Sequence, residues 1–377
     1  MLGVMGGGQL GRMFVHAAQS MGYRTAVLDP DPASPAGLVS HVHIQTDYLD
    51  AQGLARMAQH CAAITTEFEN VPAAAMSSLA QQCPVAPAAQ ALSIAQDRAR
   101  EKAHFAACGV ACAPYAVITA LDLLAGVADG LLPGILKTTR LGYDGKGQQR
   151  VANRAEVGAA WEALRRVPCV LEKQMALTAE CSVIVARGRD GSMVNYPVQR
   201  NLHRDGILAV TEVFEGNLPP ELAGRAITAA KSIAQGLDYV GVLCVEFFLV
   251  QDELLVNEMA PRPHNSGHYT IDACDLSQFD LQVRTLAGLP LVQPRQHSQA
   301  VMLNLLGDLW LAGNGKVVTP DWAAVLAVAG THLHLYGKLE PRIGRKMGHL
   351  TVTGASRAQA QTGACQAALL LGLDYSA

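Results

Sequence analysis

The sequence predicts an α/β protein, and its 377 residues are enough for two or three domains. Short apolar strands alternate with alanine-rich helices over residues 1–90, which is the pattern of a parallel sheet covered by helices. Proline-containing segments around residues 83–90 and 290 are typical of linkers, and strand-rich sequence follows the second one. We therefore expect a Rossmann-like domain over 1–90, a central α+β domain over 91–290 and a small β-rich domain over 291–377.

The composition excludes several classes of protein. The net charge is −3 and no basic stripe is present, so nucleic acid is not an expected partner. No apolar run reaches membrane-spanning length, and the first residues lack the pattern of a signal peptide. Nine cysteines without a C-x-x-C pair fit a reduced protein. We expect a cytoplasmic enzyme that acts on small molecules, with no membrane partner.

The first motif is the segment VMGGGQLGRM, in which Gly6, Gly8 and Gly11 form G-x-G-x-x-G. It lies between an apolar strand and an amphipathic helix starting near Leu10, and a second strand ends at Asp29. This layout fits a dinucleotide site, a site for a smaller phosphorylated ligand, or a purely structural turn, and a lone motif does not choose among them. The proline-rich DPDPASPA segment disfavours NAD.

A later strand of the same sheet is expected in AAITTEFENVP, and the end of that strand carries Glu67 and Glu69. Open α/β sheets bind ligands at the carboxyl ends of their strands. Either acid could therefore contact a substrate, and the alternative is an ordinary solvated strand end.

The segment CVEFFLVQDELLVNE predicts a hairpin with two opposed acids. A three-residue turn at Gln251–Glu253 would place Glu246 directly across from Glu258, within the 4.5–5.5 Å range of paired Cβ atoms. Two like charges need a compensating group, and Mg²⁺ is the simplest one because it prefers carboxylate oxygens. Asn257 would add an oxygen ligand if the strand bends there. A different register would put the acids on opposite faces.

A candidate phosphate-binding segment precedes this hairpin. Lys137 ends an apolar strand, and the glycine-rich loop 142–148 could close backbone amides over phosphates or exclude water as a lid. The alternative is an ordinary flexible loop. The segment LEKQM, starting at Leu171, offers an apolar strand and free backbone groups for an adenine edge, and Glu180 could hold ribose hydroxyls.

Polar residues after the carboxylate strand predict an active-site lining. Arg262, His264 and Asn265 lie in PRPHNSGH, directly beyond the second acid. By contrast, His332 and His334 alternate on one predicted strand face without a third residue at a zinc-ligand spacing, so we expect a structural role for them.

Taken in order, ILKTTRLGYDGKGQ, LEKQM, CVEFF and LLVNEMAPRPHNSGH resemble the motifs of ATP-grasp enzymes. GGGQLGRM, TEFENV, NLHRDGIL and GRKMGHL narrow the resemblance to the N5-carboxyaminoimidazole ribonucleotide synthetases of purine biosynthesis. The resemblance covers nearly the whole chain. It implies a Rossmann-like pre-ATP-grasp domain, an ATP-grasp domain, a small C-terminal β-rich domain and a homodimer. It also implies an ATP-dependent carbon–nitrogen ligase that joins bicarbonate to aminoimidazole ribonucleotide and releases ADP and phosphate.

The resemblance further implies roles for individual residues. ATP would contact Arg98, Lys137, Gly142, Tyr143, Asp144, Gly145, Lys146, Gly147, Gln148, Glu172, Lys173, Gln174, Met175, Glu180, His203, Asn257 and Glu258. Mg²⁺ would be held by Glu246 and Glu258. The ribonucleotide would lie among Gln9, Leu10, Glu69, Tyr143, Asp144, Lys338, Arg345 and Lys346. Bicarbonate or its phosphorylated form would be surrounded by Arg262, His264 and Asn265. One departure is Lys146, where some relatives have arginine, and it affects how the loop grips a phosphate.

Two other functions are compared with this one. A sister ATP-grasp ligase would activate formate or another carboxylate on a different purine ribonucleotide, but GRKMGH and PHNSGH favour the carboxylating enzyme. An NAD oxidoreductase would leave the opposed acids and the glycine-rich loop without a role. On the favoured interpretation, the N-terminal glycine motif receives the ribonucleotide, and ATP binds between the two halves of the central domain.

Overall fold

The computed structural model describes residues 1–142, 146–311 and 316–375. The N-terminal unit is a parallel sheet with helices on its faces, and in the described chain its strand order is β3-β2-β1-β4. Its strands are β1 (Leu2–Met5), β2 (Thr25–Leu28), β3 (Val42–Ile44) and β4 (Ala63–Thr66), and its helices are α1 (Gln9–Ser20), α2 (Ala51–His60) and α3 (Ala73–Ala80). This sheet confirms the predicted Rossmann-like architecture.

A small antiparallel sheet follows, with the order β5-β8-β6-β7 among the described residues. The elements of this part are α4 (Ala89–Ala95), α5 (Arg98–Ala107), β5 (Tyr115–Ile118), β6 (Gly134–Thr138), β7 (Gln148–Val151), α6 (Arg154–Ala163) and β8 (Cys169–Lys173). Helix α4 begins inside the proline-containing segment that was expected to be a linker. Asp97 caps α5, because its side chain accepts hydrogen bonds from the Ala99 and Arg100 amides.

The rest of the chain forms a large sheet whose described strands run in the order β14-β13-β9-β11-β12-β15-β17-β16, with β10 paired to β9. Its strands are β9 (Ala179–Arg187), β10 (Met193–Asn195), β11 (Gln199–Arg204), β12 (Ile207–Val213), β13 (Gly241–Val250), β14 (Glu253–Ala260), β15 (Gln299–Leu306), β16 (Thr331–Leu335) and β17 (Lys346–Gly354). The accompanying helices are α7 (Pro220–Gly236), α8 (Thr270–Ala273), α9 (Gln278–Ala287), α10 (Trp322–Leu326) and α11 (Arg357–Leu371). Because β12 pairs with β15, the strands on either side of residue 290 share one sheet.

Helix α9 joins the N-terminal unit to the large sheet. Its Phe279, Val283 and Leu286 are buried in one cluster with Leu10 and Phe14 of α1. Burying such side chains stabilises an interface by about 1.5–3 kcal/mol each. The two sheets are therefore packed together along α9, and loops from both can meet at one site.

Within the described ranges, no helix combines the length and apolar character needed to cross a membrane.

Candidate active site

The β13–β14 hairpin places Glu246 and Glu258 opposite each other, as predicted, but by a different route. The expected three-residue turn is wrong: Glu253 already pairs with Val250, and Gln251 adopts a left-handed conformation with φ 55°. That tighter turn shifts the register by one residue, and an irregularity between Glu246 and Phe247 shifts it back. Asn257 is the extra residue of this bulge. A bulge bends the strand locally, as the predicted role of Asn257 requires.

The two opposed acids have different partners. Glu258 accepts a hydrogen bond from Arg98 Nη1 at 3.0 Å, whereas Glu246 Oε1 lies 3.1 Å from His264 Nε2. Burial and the neighbouring Glu258 charge raise the pKa of Glu246 to about 7. Burial opposes ionisation of Glu258 as well, but the Arg98 charge outweighs it and lowers the pKa of that carboxyl. The pair thus resists carrying two negative charges without a further cation.

Glu172 lies at the centre of a second charged cluster, on β8. Its carboxylate is 2.8 Å from Lys137 Nζ and 3.2 Å from Lys102 Nζ, and its side chain is almost completely buried. Burial alone would raise the pKa of Glu172, yet the two lysines lower it. Lys137 therefore forms an ion pair with a carboxylate in this structure. This pairing fixes its ammonium group near the end of β6.

The other predicted ATP-binding residues lie on neighbouring elements. His203 Nδ1 is 2.7 Å from Glu180 Oε2, so the structure brings this predicted pair together across β9 and β11. The backbone N–H groups of Lys173 and Gln174 were expected to be free, but they donate to the carbonyls of Pro114 and Pro133. Met175 follows them directly in the chain.

The glycine-rich loop is described only in part. The Gly142 carbonyl accepts a hydrogen bond from Arg98 Nη2 at 3.3 Å, and Gly147 has a φ of 71°, which favours glycine. Lys146 and Gln148 lie at the far end of the loop, where β7 begins. The predicted contacts of Tyr143, Asp144 and Gly145 fall outside the described residues.

The segment after β14 carries a cation, Arg262, and a buried amide, Asn265. Arg262 Nε donates to Glu69 Oε2 in a short ion pair, which links this segment to the N-terminal unit. Asn265 is 7% exposed, and neither its side-chain oxygen nor its nitrogen has a hydrogen-bond partner among the described residues. Unpaired buried amides are costly, so this side chain fits a ligand contact.

One cavity of ≈ 120 Å³ collects residues from these separate parts of the chain. Its lining includes Glu69, Arg98, Gly142, Glu246, Glu258, Arg262, His264 and Lys346. A larger cavity of ≈ 480 Å³ shares only Glu180 with the predicted site residues. The smaller cavity is the better candidate for chemistry, because it combines opposed carboxylates with several cations.

The basic turn between β16 and β17 contributes one lysine to this cavity. Lys346 lines it, whereas Arg345 Nη1 donates to the Glu340 carbonyl within the turn at 2.6 Å. Lys338 Nζ donates to the Lys346 carbonyl, also at 2.6 Å. The three predicted basic residues thus lie on one turn, where Lys346 lines the cavity and the Arg345 side chain is bonded to its own turn.

The N-terminal glycine motif is occupied by the protein's own acids. The Gly8 and Gly11 amides donate to Glu67 at 2.9 and 3.0 Å, and the Gly7 amide donates to Asp29 at 2.7 Å. A Cβ atom on Gly8 would come within 2.5 Å of the Glu67 carboxylate. These glycines thus allow close approach of internal carboxylates, and this finding argues against a pyrophosphate cradle at the three amides.

Sequence reasoning missed two charged residues of α5. Glu101 and Lys102 are almost completely buried, and Glu101 Oε1 accepts a hydrogen bond from the Met259 amide at 2.7 Å, next to Glu258. Burial and then the Glu258 charge raise the pKa of Glu101 to about 8. The signal was their spacing: with Arg98 and Phe105 they follow the i, i+3, i+4, i+7 pattern of a buried helix face.

Comparison with known proteins gives a consistent assignment along the chain. Residues 1–96 match the ribonucleotide synthetase preATP-grasp domain, 103–279 the ATP-grasp domain and 300–362 the phosphoribosylaminoimidazole carboxylase C-terminal domain. An N5-carboxyaminoimidazole ribonucleotide synthase of Brucella melitensis is 44% identical over 354 residues, which cover 93% of this chain and 95% of that protein. The chain belongs to the N5-carboxyaminoimidazole ribonucleotide synthase family. As a member it is an ATP-dependent ligase of purine biosynthesis.

Solved structures of the family agree with this membership. The N5-carboxyaminoimidazole ribonucleotide synthetase of Thermus thermophilus has a TM-score of 0.90 and 38% identity, covering 100% of this chain and 99% of that one. The synthase of Aspergillus clavatus, solved with ADP and 5-aminoimidazole ribonucleotide, has a TM-score of 0.88 and 30% identity, with 98% of each chain covered. The family's ATP-grasp architecture, predicted from the motifs, is confirmed.

Proposed function

We propose that this chain carboxylates 5-aminoimidazole ribonucleotide with ATP and bicarbonate, through carboxyphosphate, to give N5-carboxyaminoimidazole ribonucleotide, ADP and phosphate. The observation that carries the proposal is the shared cavity. It places the Glu246–Glu258 pair and Arg98 beside Glu69, Arg262, His264 and Lys346. A reaction between a nucleoside triphosphate, a small anion and a second phosphorylated substrate needs carboxylates for a metal ion and cationic side chains for the phosphates at one site.

The residues at the hairpin fit a magnesium ion. Glu246 and Glu258 are paired across the sheet, and burial together with the Glu258 charge raises the pKa of Glu246 to about 7. A divalent cation would remove that penalty, since Mg²⁺ prefers carboxylate oxygens shared with substrate phosphates. Glu246 and Glu258 would hold it, and Asn257 lies in the bulge beside them. When bound, Mg²⁺ would neutralise charge on the phosphates during transfer.

The protein's own cations supply the remaining charge for phosphoryl transfer. Arg98 connects Glu258 to the Gly142 carbonyl, which positions it at the edge of the glycine-rich loop. The Lys137 ammonium group forms an ion pair with Glu172. An ATP phosphate would bind to the same ammonium group. Glu180 and His203 would hold the ribose, and Glu172 through Met175 would border the adenine. Phosphoryl transfer needs such alignment and charge neutralisation and no protein nucleophile.

Bicarbonate would bind beside Arg262, His264 and Asn265. The Asn265 amide is buried and unpaired among the described residues, and the Arg262 guanidinium is fixed by Glu69. Attack of a bicarbonate oxygen on the γ-phosphorus forms the carboxyphosphate C–O–P linkage and releases ADP. The exocyclic amine of the ribonucleotide then forms an N–C bond to the carboxyl carbon, the C–O bond to phosphate breaks, and phosphate and the amine proton are released.

The ribonucleotide would occupy the side of the cavity formed by the N-terminal unit and the basic turn. Glu69 and Lys346 line the cavity there. Gln9 and Leu10 start α1, and the described contacts to Glu67 and Asp29 come from the Gly7, Gly8 and Gly11 amides. The amides of Gln9 and Leu10 would contact the ribonucleotide phosphate at this helix N-terminus. Lys338 and Arg345 lie on the same turn and would approach the ribonucleotide if the turn moves on binding.

The test is phosphate release from ATP by the intact protein at saturating Mg²⁺. We expect release to require both aminoimidazole ribonucleotide and bicarbonate. If formate replaces bicarbonate, the sister ligase is the correct function. If neither carboxylate source stimulates release, the carboxylation proposal fails.

The family resemblance further supports a homodimer in the cytoplasm. All nine cysteines are free thiols in the structure, which fits a reducing compartment. Light scattering coupled to size exclusion should give twice the 39.8 kDa chain mass. A monomer at micromolar concentration would contradict the dimer.

A further inference from the structure

A row of buried polar side chains crosses the apolar interior of the large sheet and ends at His264. Its members share nearly complete burial, between 0% and 7% exposed: Ser182 of β9, Asn201 of β11, Thr211 of β12 and Ser266 after β14. Burying hydroxyls and amides in a sheet is unfavourable unless they are paired. Each of these side chains hydrogen-bonds to the next, so the row forms a continuous chain.

Ser266, at the end of this row, determines which nitrogen of the His264 ring carries the hydrogen. The Ser266 backbone N–H donates to His264 Nδ1 at 3.3 Å, and Ser266 Oγ lies 2.9 Å from the same nitrogen. A backbone N–H can only donate, so Nδ1 must present its lone pair and cannot carry a hydrogen. The ring hydrogen is therefore on Nε2, which lies 3.1 Å from Glu246 Oε1.

The donor and acceptor roles in the remaining hydrogen bonds follow from the accepting Nδ1 of His264. With Nδ1 as the acceptor, Ser266 Oγ donates to it and accepts from Ser182 Oγ at 2.8 Å. Ser182 in turn accepts from Asn201 Nδ2 at 2.9 Å, and Asn201 Oδ1 accepts from Thr211 at 3.0 Å. Every donor in the chain then points toward Glu246, and hydrogen bonds aligned in this way strengthen one another.

Besides the Cys244 thiol, Gln199 offers a competing acceptor to the Ser182 hydroxyl. Its Oε1 lies 3.1 Å from Ser182 Oγ, compared with 2.8 Å for Ser266 Oγ. The shorter contact favours the route toward His264. Ser182 also lies directly across from Glu246 in the β9–β13 pairing, so the chain follows the strand register to the site.

We propose that Ser266 is a positioning residue that holds His264 as an N–H donor toward Glu246, and that Ser182, Asn201 and Thr211 hold Ser266 in place. This inference rests on the proposed carboxylation, in which Glu246 and His264 face the same cavity. Since Nδ1 is engaged by Ser266 and Nε2 carries the hydrogen, His264 has no free lone pair. It orients the carboxylate of Glu246 and does not act as a general base.

The first test is the tautomer itself, read from the ¹⁵N resonances of the wild-type protein labelled at histidine, without ATP. His264→Gln identifies the His264 signals by their loss. We expect a neutral ring with its hydrogen on Nε2 and an accepting Nδ1. A hydrogen on Nδ1, or a doubly protonated ring at neutral pH, would overturn the proposal without touching the assigned reaction.

The second test uses substitutions along the chain, with turnover and KM measured together. Ser266→Ala should lower kcat by ~10–100-fold, the range typical of groups that orient an active-site ligand, with the KM for ATP within about twofold of wild type. Ser266→Thr, which keeps the hydroxyl, should recover most of that loss. If Ser266→Ala turns over like wild type, the positioning role is wrong.

A matched pair of isosteric variants separates positioning from general packing. Thr211→Val removes the far hydroxyl of the chain, whereas Thr351→Val removes a buried hydroxyl of β17 that has no hydrogen-bond partner in the described structure. We expect kcat to fall about threefold for Thr211→Val and to stay unchanged for Thr351→Val. Equal effects of the two variants would contradict a role for the row of hydrogen-bonded side chains in positioning His264.

The last comparison distinguishes a donor from a base. The Gln side chain can place an N–H near the position of His264 Nε2, whereas Leu cannot. We expect His264→Gln to retain at least tenfold more turnover than His264→Leu. Equal loss in both variants would contradict the donor role. A wild-type protein with no phosphate release dependent on ribonucleotide and bicarbonate would instead contradict the proposed function.

Discussion

The N-terminal glycine turn and the β13–β14 hairpin both carry a pair of nearby acids, but they differ in what those acids contact. At the turn, Asp29 and Glu67 accept hydrogen bonds from the Gly7, Gly8 and Gly11 amides, so these three donors are already used. At the hairpin, Glu246 and Glu258 oppose each other and contact cationic or N–H side chains that line a cavity. The glycine amides of the turn are therefore bonded within the fold, whereas the opposed acids and their partners line a cavity that a ligand can enter.

The largest expected effect comes from removing one of the opposed acids. Glu258→Gln should lower kcat by about 10³-fold or more, because metal-assisted charge stabilisation is worth several kcal/mol and each 1.36 kcal/mol is tenfold in rate. The fold should persist, since the variant also relieves repulsion with Glu246. Phosphate release across a Mg²⁺ titration is the measurement, and normal rates at low Mg²⁺ would remove the metal assignment.

The next largest expected effect concerns Lys346, which differs from Arg345 in the same basic turn. Lys346 lines the cavity, whereas Arg345 donates to a carbonyl of its own turn. A charge-assisted contact is worth about 1.5–3 kcal/mol, so Lys346→Ala should raise the ribonucleotide KM by roughly ten- to a hundredfold. The KM for ATP should stay near its wild-type value.

Arg345→Ala is the matched control for that variant. We expect a smaller rise of the ribonucleotide KM than for Lys346→Ala. The reverse order would show that the turn rearranges on binding and directs Arg345 to the phosphate.

At the glycine turn the expected effect is on stability and not on ATP use. Glu67→Gln leaves one carbonyl oxygen where a carboxylate accepted two amide hydrogen bonds. Leaving one donor poorly paired costs about 1–3 kcal/mol, which urea denaturation can measure. A changed KM for ATP in this variant would show that the turn contributes to ATP binding. It would contradict the difference drawn between the glycine turn and the β13–β14 hairpin.

The smallest expected effect is a pH dependence from Glu101. Burial and the Glu258 charge raise the pKa of Glu101 to about 8 from its ordinary 4.5, so the folded state binds a proton that the unfolded state has lost. Stability from this group is full below pH 4.5 and is lost as the pH rises through 8. Glu101→Gln keeps an acceptor for the Met259 amide and cannot ionise.

The Tm of Glu101→Gln should therefore equal that of wild type near pH 4.5 and exceed it increasingly toward pH 8.5, by roughly a few degrees. Thermal melts of both proteins in magnesium-free buffer across this range give the comparison. A difference that does not change with pH would show that Glu101 titrates normally.

The strands of the N-terminal sheet and the opposed acids were accessible to sequence reasoning because apolar alternation and charge patterning are local signals. The register was reached through two compensating features, a two-residue turn and a bulge at Asn257, which alternation does not reveal. The saturation of the glycine amides by Glu67 depends on a residue 59 positions away, so it could not be predicted locally. The buried chain from Thr211 to Ser266 likewise joins three strands through tertiary contacts.

The cavity is proposed to carry phosphate transfer to bicarbonate, and isotope transfer tests this most directly. With ¹⁸O-labelled bicarbonate, ATP and aminoimidazole ribonucleotide, attack on the γ-phosphorus leaves one bicarbonate oxygen on the released phosphate. We expect phosphate carrying one ¹⁸O atom for each N5-carboxyaminoimidazole ribonucleotide formed. Unlabelled phosphate at the same rate of product formation would contradict the carboxyphosphate route.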